Sequence, residues 1–187
     1  TIMQTNWIQQ KYLKKAGLIA LVTVLGMTPP LSTDMYMPSL PKMAEYFHAP
    51  AALVNMTMVM FFISMSVGML LMGPLSDRSG RKKILIISLL LYMLSSAGCA
   101  LTTSVYLLIL MRIIQGIGAG GMVSLSIAII KDCFEGQTRA TALAVVQSMS
   151  VIAPIAAPVI GALIIQVSTW RTVFLVLAAI SAACLIT

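Results

Sequence analysis

The chain has 187 residues, of which 59% are hydrophobic and 9% charged, with a formal net charge of +7 and a mean hydropathy of +1.00. A soluble domain carries about 25% charged residues, so the composition excludes an ordinary water-soluble core and points to an integral membrane protein. The positive excess does not indicate nucleic acid, because the basic residues stand at the ends of apolar runs and form no face of their own.

Residues 1–15 are polar, with Trp7, Ile8, Tyr12 and Leu13 interspersed and Lys14 and Lys15 closing the stretch. They read as an amphipathic segment at the cytoplasmic interface or as a disordered tail. Residues 16–187 read as one transmembrane domain. About 18 or more consecutive apolar residues suffice to cross a bilayer. On that basis six spans are expected, at about 16–38, 52–73, 84–103, 105–130, 140–165 and 172–187. The last is short and still apolar at Thr187, so the chain is expected to be part of a longer protein. A cleaved signal peptide is not expected, since the first apolar run is long and further spans follow. Cys99, Cys133 and Cys184 have no paired spacing and read as free thiols.

The first span contains Pro29, Pro30 and Asp34 and is expected to be neither continuous helix nor wholly apolar; a loop with Lys42, Glu45 and His48 follows. Spans two and three flank Gly73-Pro-Leu-Ser-Asp-Arg-Ser-Gly-Arg-Lys-Lys83, the densest charge cluster in the chain and an expected short loop. Lys11, Lys14, Lys15, Arg78, Arg81, Lys82, Lys83, Lys131 and Arg139 then fall on one side, against Lys42 and Arg171 on the other. Basic residues stay in the cytoplasm, so the amino terminus is expected inside and the protein in the cytoplasmic membrane.

Charge within a bilayer costs about 2.5–3.5 kcal/mol on insertion scales, which singles out Asp34 and Arg112. At 1.5 Å per residue both sit roughly 6–10 Å below the outer boundary, and they are expected to pair if their spans are neighbours. The alternatives are an Asp34 that reaches back to the interface and an Arg112 bonded to backbone carbonyls. Gln115 shares a face with Arg112 and is expected to line a cavity, together with Tyr36, Asn55 and Gln147. At the inner end, Asp77 and Arg81 are one turn apart and Asp132 ends span four on the same side. They could form one inner network; the alternative, that only the positive-inside rule operates in the stretch with Arg78, would not require Gly73, Asp77 and Gly80. Gly116 and Gly120 form a small face for close helix packing. Pro154 and Pro158 are expected to bend span five. The 15 methionines read as core, or as an adaptable lining for apolar ligands. His48 is the single histidine, and neither a metal-ligand cluster nor a nucleophile motif is visible, so an enzyme is not expected.

These residues resemble the major facilitator superfamily, and within it the drug:proton antiporters of the bicyclomycin/chloramphenicol-resistance type. Gly73-x-Leu75-Ser76-Asp77-Arg78-x-Gly80-Arg81-Lys82 is similar to the superfamily's loop motif between helices two and three. Leu108-xxx-Arg112-xx-Gln115-Gly116-x-Gly118-Ala119 resembles its helix-four motif, and Ser32-Thr-Asp-Met-Tyr-Met-Pro38 with Leu40-Pro41 resembles the end of helix one in the drug exporters. Ala153-Pro-xx-Ala157-Pro158-xx-Gly161-Ala162 is similar to the helix-five antiporter motif, with alanines where the family often has glycine. Gly26 stands about where some relatives carry a second membrane acid.

The resemblance implies an all-α fold, the amino-terminal six-helix half of a twelve-helix transporter, built as a 3+3 inverted repeat with helices one and four both lining the cavity. It implies export of lipophilic compounds by proton antiport with alternating access. Asp34 and Arg112 would couple proton to substrate, Asp77, Arg81 and Asp132 would form the latch, and Pro154, Pro158 and Gly161 would carry the antiporter motif. The implied partners are a small lipophilic substrate, protons, the bilayer and a carboxy-terminal half, with no cofactor beyond the proton. The other reading is a facilitator-type transporter of a small metabolite such as a sugar or organic acid.

Overall fold

The fold is that of a computed structural model, which describes residues 15–186. The interfacial reading of residues 1–15 therefore lies, but for Lys15, outside the described residues. The elements are α1 (Lys15–Asp34), a 3-10 turn (Met37–Ser39), α2 (Leu40–Phe47), α3 (Ala51–Ser79), α4 (Arg81–Leu101), α5 (Val105–Cys133), α6 (Gly136–Val167) and α7 (Trp170–Ile186). No strand occurs among the described residues. Five helical stretches, beginning with Gly17–Phe47, are long and apolar enough to cross a membrane, and α7 adds an apolar helix of 17 residues.

The helices overrun the expected spans in three places. The stretch expected to be a loop between spans two and three is helical: α3 continues through Pro74 to Ser79 and α4 begins at Arg81, so Gly80 alone separates them. Gly80 has φ +94°, a conformation that costs an L side chain roughly 1–2 kcal/mol. Charge marks where the chain leaves hydrocarbon, but Arg, Lys and Asp do not end a helix. In the same way Phe134 and Glu135 alone separate α5 from α6, and most of the expected loop 39–50 is α2, closed by His48 in the left-handed region at φ 48°.

The first span is also more regular than expected, since α1 runs unbroken through Pro29 and Pro30. Each proline removes the amide that would bond the carbonyl four residues back. The carbonyl freed by Pro30 is that of Gly26, and Ser150 Oγ from α6 approaches it at 3.5 Å. Thr33 Oγ1 donates to the Pro30 carbonyl at 3.0 Å. Neighbouring hydroxyls of this kind let a membrane helix keep its prolines.

Packing follows a simple exchange rule. Helix α3 packs on α5, and its counterpart α6 packs on α1; α4 meets both α5 and α7, as α7 meets α1; α1 meets α5. Exchanging the triplet α1, α3, α4 for α5, α6, α7 maps these pairs onto one another, as two inverted three-helix repeats require. The seams are closed by small residues. A Cβ on Gly116 would lie 2.5 Å from the Phe61 carbonyl, one on Gly68 would lie 2.5 Å from the Ile117 carbonyl, and one on Gly161 would collide with the Met35 carbonyl. The outer faces of α3 and α6 stay apolar and exposed, for example at Leu70 and Ile155. Cys99, Cys133 and Cys184 are free thiols.

Candidate functional site

Arg112 is the largest fully buried side chain, only 1% exposed. It is held by a polar chain crossing three helices. Its NH1 donates to Ser32 Oγ on α1 at 3.1 Å and to Gln115 Oε1, one turn along α5, at 3.0 Å. Gln115 Nε2 donates to Ser96 Oγ on α4 at 2.6 Å, and Ser96 Oγ donates to the Tyr92 carbonyl at 2.7 Å. Three rings enclose the guanidinium, its carbon lying 4.1 Å from the Tyr36 centroid, 4.8 Å from Phe174 and 5.4 Å from Phe61. Tyr36 is itself fixed by a 2.8 Å hydrogen bond between its hydroxyl and Thr57 Oγ1 on α3. A desolvated cation over an aromatic face gains about 2 kcal/mol, which offsets part of the burial.

The Nε and NH2 of Arg112 are buried and have no acceptor. These two groups share one edge of the guanidinium, the fork that binds a carboxylate through two parallel bonds. Among the described residues this edge has no carboxylate partner, and aromatic rings and hydroxyls surround the guanidinium.

The expected Asp34–Arg112 pair is absent: among the described residues both ion pairs belong to Arg81. Asp34 is half-buried as the last residue of α1. The reason is azimuth. A helix turns about 100° per residue, so when Ser32 faces Arg112 the side chain two positions on leaves in nearly the opposite direction. Equal depth was legible from spacing, but facing was not.

Gln115 and Tyr36, expected along a cavity, are both 0% exposed and sit inside the sealed cluster instead. Asn55 and Gln147 are exposed on α3 and α6 and make none of its contacts. Sequence reasoning missed Ser96, Thr57, Phe61 and Phe174. The polar partners had a signal: Ser88, Tyr92, Ser95, Ser96 and Cys99 recur every three or four residues along α4, and all are buried.

A second polar cluster closes the end of the bundle where α3, α4 and α5 meet. Arg81 pairs with Asp77 one turn earlier and with Asp132 on α5, its Nε 2.8 Å from Oδ2. Its NH1 also donates to Ser76 Oγ at 2.6 Å, and Ser76 Oγ donates to the Gly73 carbonyl at 2.6 Å. Arg81 is thus the hub, and Ser76 an unanticipated member. The cluster borders a cleft of about 320 Å³ lined by Gly73, Pro74, Asp77, Arg81, Lys131 and Asp132, among others. Arg78 is exposed and enters neither ion pair. A Cβ on Gly73 would meet nothing within 4 Å, so space does not demand glycine there.

The helix-five residues lie on the face of α6 turned to α1. Ala153, Ala157 and Gly161 are buried at four-residue intervals, with Pro154 and Pro158 half-buried beside them. Met35 of α1 seats against Gly161.

Paired triplets of long apolar helices, with a buried arginine among them and an ionic clasp at one end, make this an all-helical polytopic membrane protein. The chain is a member of the Major Facilitator Superfamily, whose pattern it matches over residues 22–187. It is 36% identical over 177 residues to the "uncharacterized MFS-type transporter YdgK" of Bacillus subtilis, covering 94% of this chain and 43% of that protein. It is 32% identical over 150 residues to the multidrug resistance protein MdtL of Salmonella typhimurium, covering 80% of this chain and 38% of MdtL. A chloramphenicol resistance protein of Pseudomonas aeruginosa is 31% identical over 160 residues, covering 85% of this chain and 38% of its own length. The chain thus spans about two-fifths of the length of these relatives. The motif resemblance is met at the family level, and the family is one of carriers rather than enzymes.

Proposed function

We propose that this chain forms one half of a proton-driven exporter of lipophilic drugs, set in the cytoplasmic membrane with its amino terminus inside. A second six-helix half completes a transport cavity, and the driving partner is the proton alone, with no bound cofactor. Two relatives carry names of drug resistance. The observation that carries the coupling step is the unfilled Nε–NH2 edge of buried Arg112, on a helix that packs against the one ending in Asp34. In this conformation the edge is empty and Asp34 is free to take a proton or a cationic drug, but not both. In the alternate conformation a rotation at the end of α1 brings the carboxylate onto that edge. The guanidinium then favours the ionised carboxylate and drives the proton off.

With an uncharged drug, one proton entering the cell is worth about 2.3 kcal/mol per 100 mV, whereas exchange for a singly charged cation moves no net charge and draws on the pH gradient alone. The former exceeds the roughly 1.4 kcal/mol of a tenfold substrate gradient. The Arg81–Asp77–Asp132 clasp holds one end of the bundle shut during half of the cycle and opens in the other. The residues toward the second half, Asn55 and Gln147 among them, are exposed here and become cavity wall in the whole transporter.

The test is transport by the full-length protein in inverted membrane vesicles energised with a pH gradient. Chloramphenicol or a lipophilic cationic dye should accumulate only while the gradient lasts, and Asp34→Asn should abolish accumulation. Accumulation that survives collapse of the gradient removes proton coupling. The same empty guanidinium edge also suits the carboxylate of an organic acid, which keeps the metabolite reading in view. Gradient-driven movement of small carboxylates, with drugs inert, would select that reading.

A further inference from the structure

The end of the bundle opposite Arg81 holds a cleft that the transport cycle does not use. It encloses about 270 Å³ and is lined by Lys42, Tyr46, Ser168, Thr169, Trp170 and Arg171. Arg171 is anchored: its NH2 donates to the Tyr46 hydroxyl at 2.7 Å and to the Thr102 carbonyl at 3.2 Å. Its guanidinium carbon lies 5.0 Å from the Tyr46 ring centroid and 5.2 Å from that of Trp170. Its Nε is buried without an acceptor. Lys42 gives one N–H to the Ile165 carbonyl at 3.3 Å, and an ammonium has three to give. Neither cation has a carboxylate within ion-pair distance, although exposed Glu45 shares α2 with Lys42.

The remaining walls fit an anion carrying hydrocarbon. The first turn of α7 opens beside the cleft and adds partial positive charge, while Thr169 supplies a hydroxyl and that of Ser168 is hydrogen-bonded to Thr172 Oγ1. Val167, next in sequence to Ser168, is 89% exposed, and Leu101, next to the Thr102 whose carbonyl Arg171 bonds, is 79% exposed. Trp and Tyr with basic side chains at the end of apolar spans mark headgroup depth. At about 30 Å³ per water the cleft has room for several waters, and so for a phosphate with its glycerol.

We infer that this cleft binds the phosphate of an anionic phospholipid headgroup between Lys42 and Arg171, with the acyl chains lying along the flank at Val167 and Leu101. The site works at either face of the membrane and stands independently of the transport reading. Soluble phosphate offers the same charge but makes no use of the apolar flank.

The experiment is a titration of delipidated full-length protein in detergent with dioleoyl phosphatidylglycerol, reading bound lipid by native mass spectrometry. Lys42→Gln, an exposed substitution that spares the Arg171 anchor, should weaken the tightest site by about fivefold. Lys82→Gln at the other end should leave that affinity unchanged. Arg171→Gln should weaken it further, with the Lys42 variant deciding the matter if that protein does not fold. Inorganic phosphate is titrated in parallel. Phosphate that displaces the lipid with the same sensitivity to Lys42→Gln upholds the phosphate site and assigns it to soluble anions. Phosphatidylglycerol affinity unmoved by Lys42→Gln overturns the proposal.

Discussion

At the scale of single residues, Arg112 sets the terms. A buried charge without a counter-ion costs several kcal/mol, and here two hydrogen bonds and three aromatic faces offset that cost only in part. Arg112→Met should therefore leave melting temperature and expression near or above those of the parent while abolishing drug transport. A protein that no longer inserts or folds would make the arginine structural. Glycines separate in the same way. Gly80→Ala forces φ +94° on an L residue and should destabilise by about 1 kcal/mol or more. Gly73→Ala meets open space inside a helix and should stabilise by up to about 1 kcal/mol, as thermal unfolding in detergent will report. The sequence exposed Asp34 and Arg112 because charge in an apolar run is conspicuous. It hid their facing, because which side of α1 turns to α5 is decided by packing across several helices.

Among the elements, the clasp and the small-residue seams do different work. The Arg81 pairs are partly exposed, with Asp77 at 59% and Asp132 at 42%. Exposed pairs contribute about 0.2–1 kcal/mol each, too little to hold the fold but enough to bias two conformations. Asp132→Asn should lower stability by less than about 1 kcal/mol yet cut transport severely, with drug binding retained. Transport equal to the parent's would reduce the clasp to surface decoration. By contrast Gly161→Val drives two methyls into the Met35 carbonyl and should destabilise by about 1–3 kcal/mol, seen as a lowered melting temperature. Asp77, Arg81 and Asp132 were readable together from spacing and membrane side. Ser76 was not, because a serine becomes a partner only once α3 is known to continue to Ser79.

Over the whole molecule, the order of the long apolar helices was legible from apolar runs alone, since hydrocarbon thickness imposes a length; five of the six expected spans meet that length among the described residues, and the sixth is the shorter α7. The triplet exchange was not legible in those runs and came only with the motif resemblance, because composition along a helix says little about which neighbour it meets. What the fold adds is a consequence for function. α1 and α5 are equivalent in the two repeats and pack against each other, which sets Arg112 of α5 beside the helix that ends in Asp34. The outer faces of α3 and α6 are apolar and exposed. The central claim is that the empty edge of Arg112 and the carboxylate of Asp34 are exchange partners. The most direct measurement is proton release on adding drug to purified full-length protein in weakly buffered detergent solution. The account predicts release from the parent protein and none from Asp34→Asn. Equal release from both would contradict it.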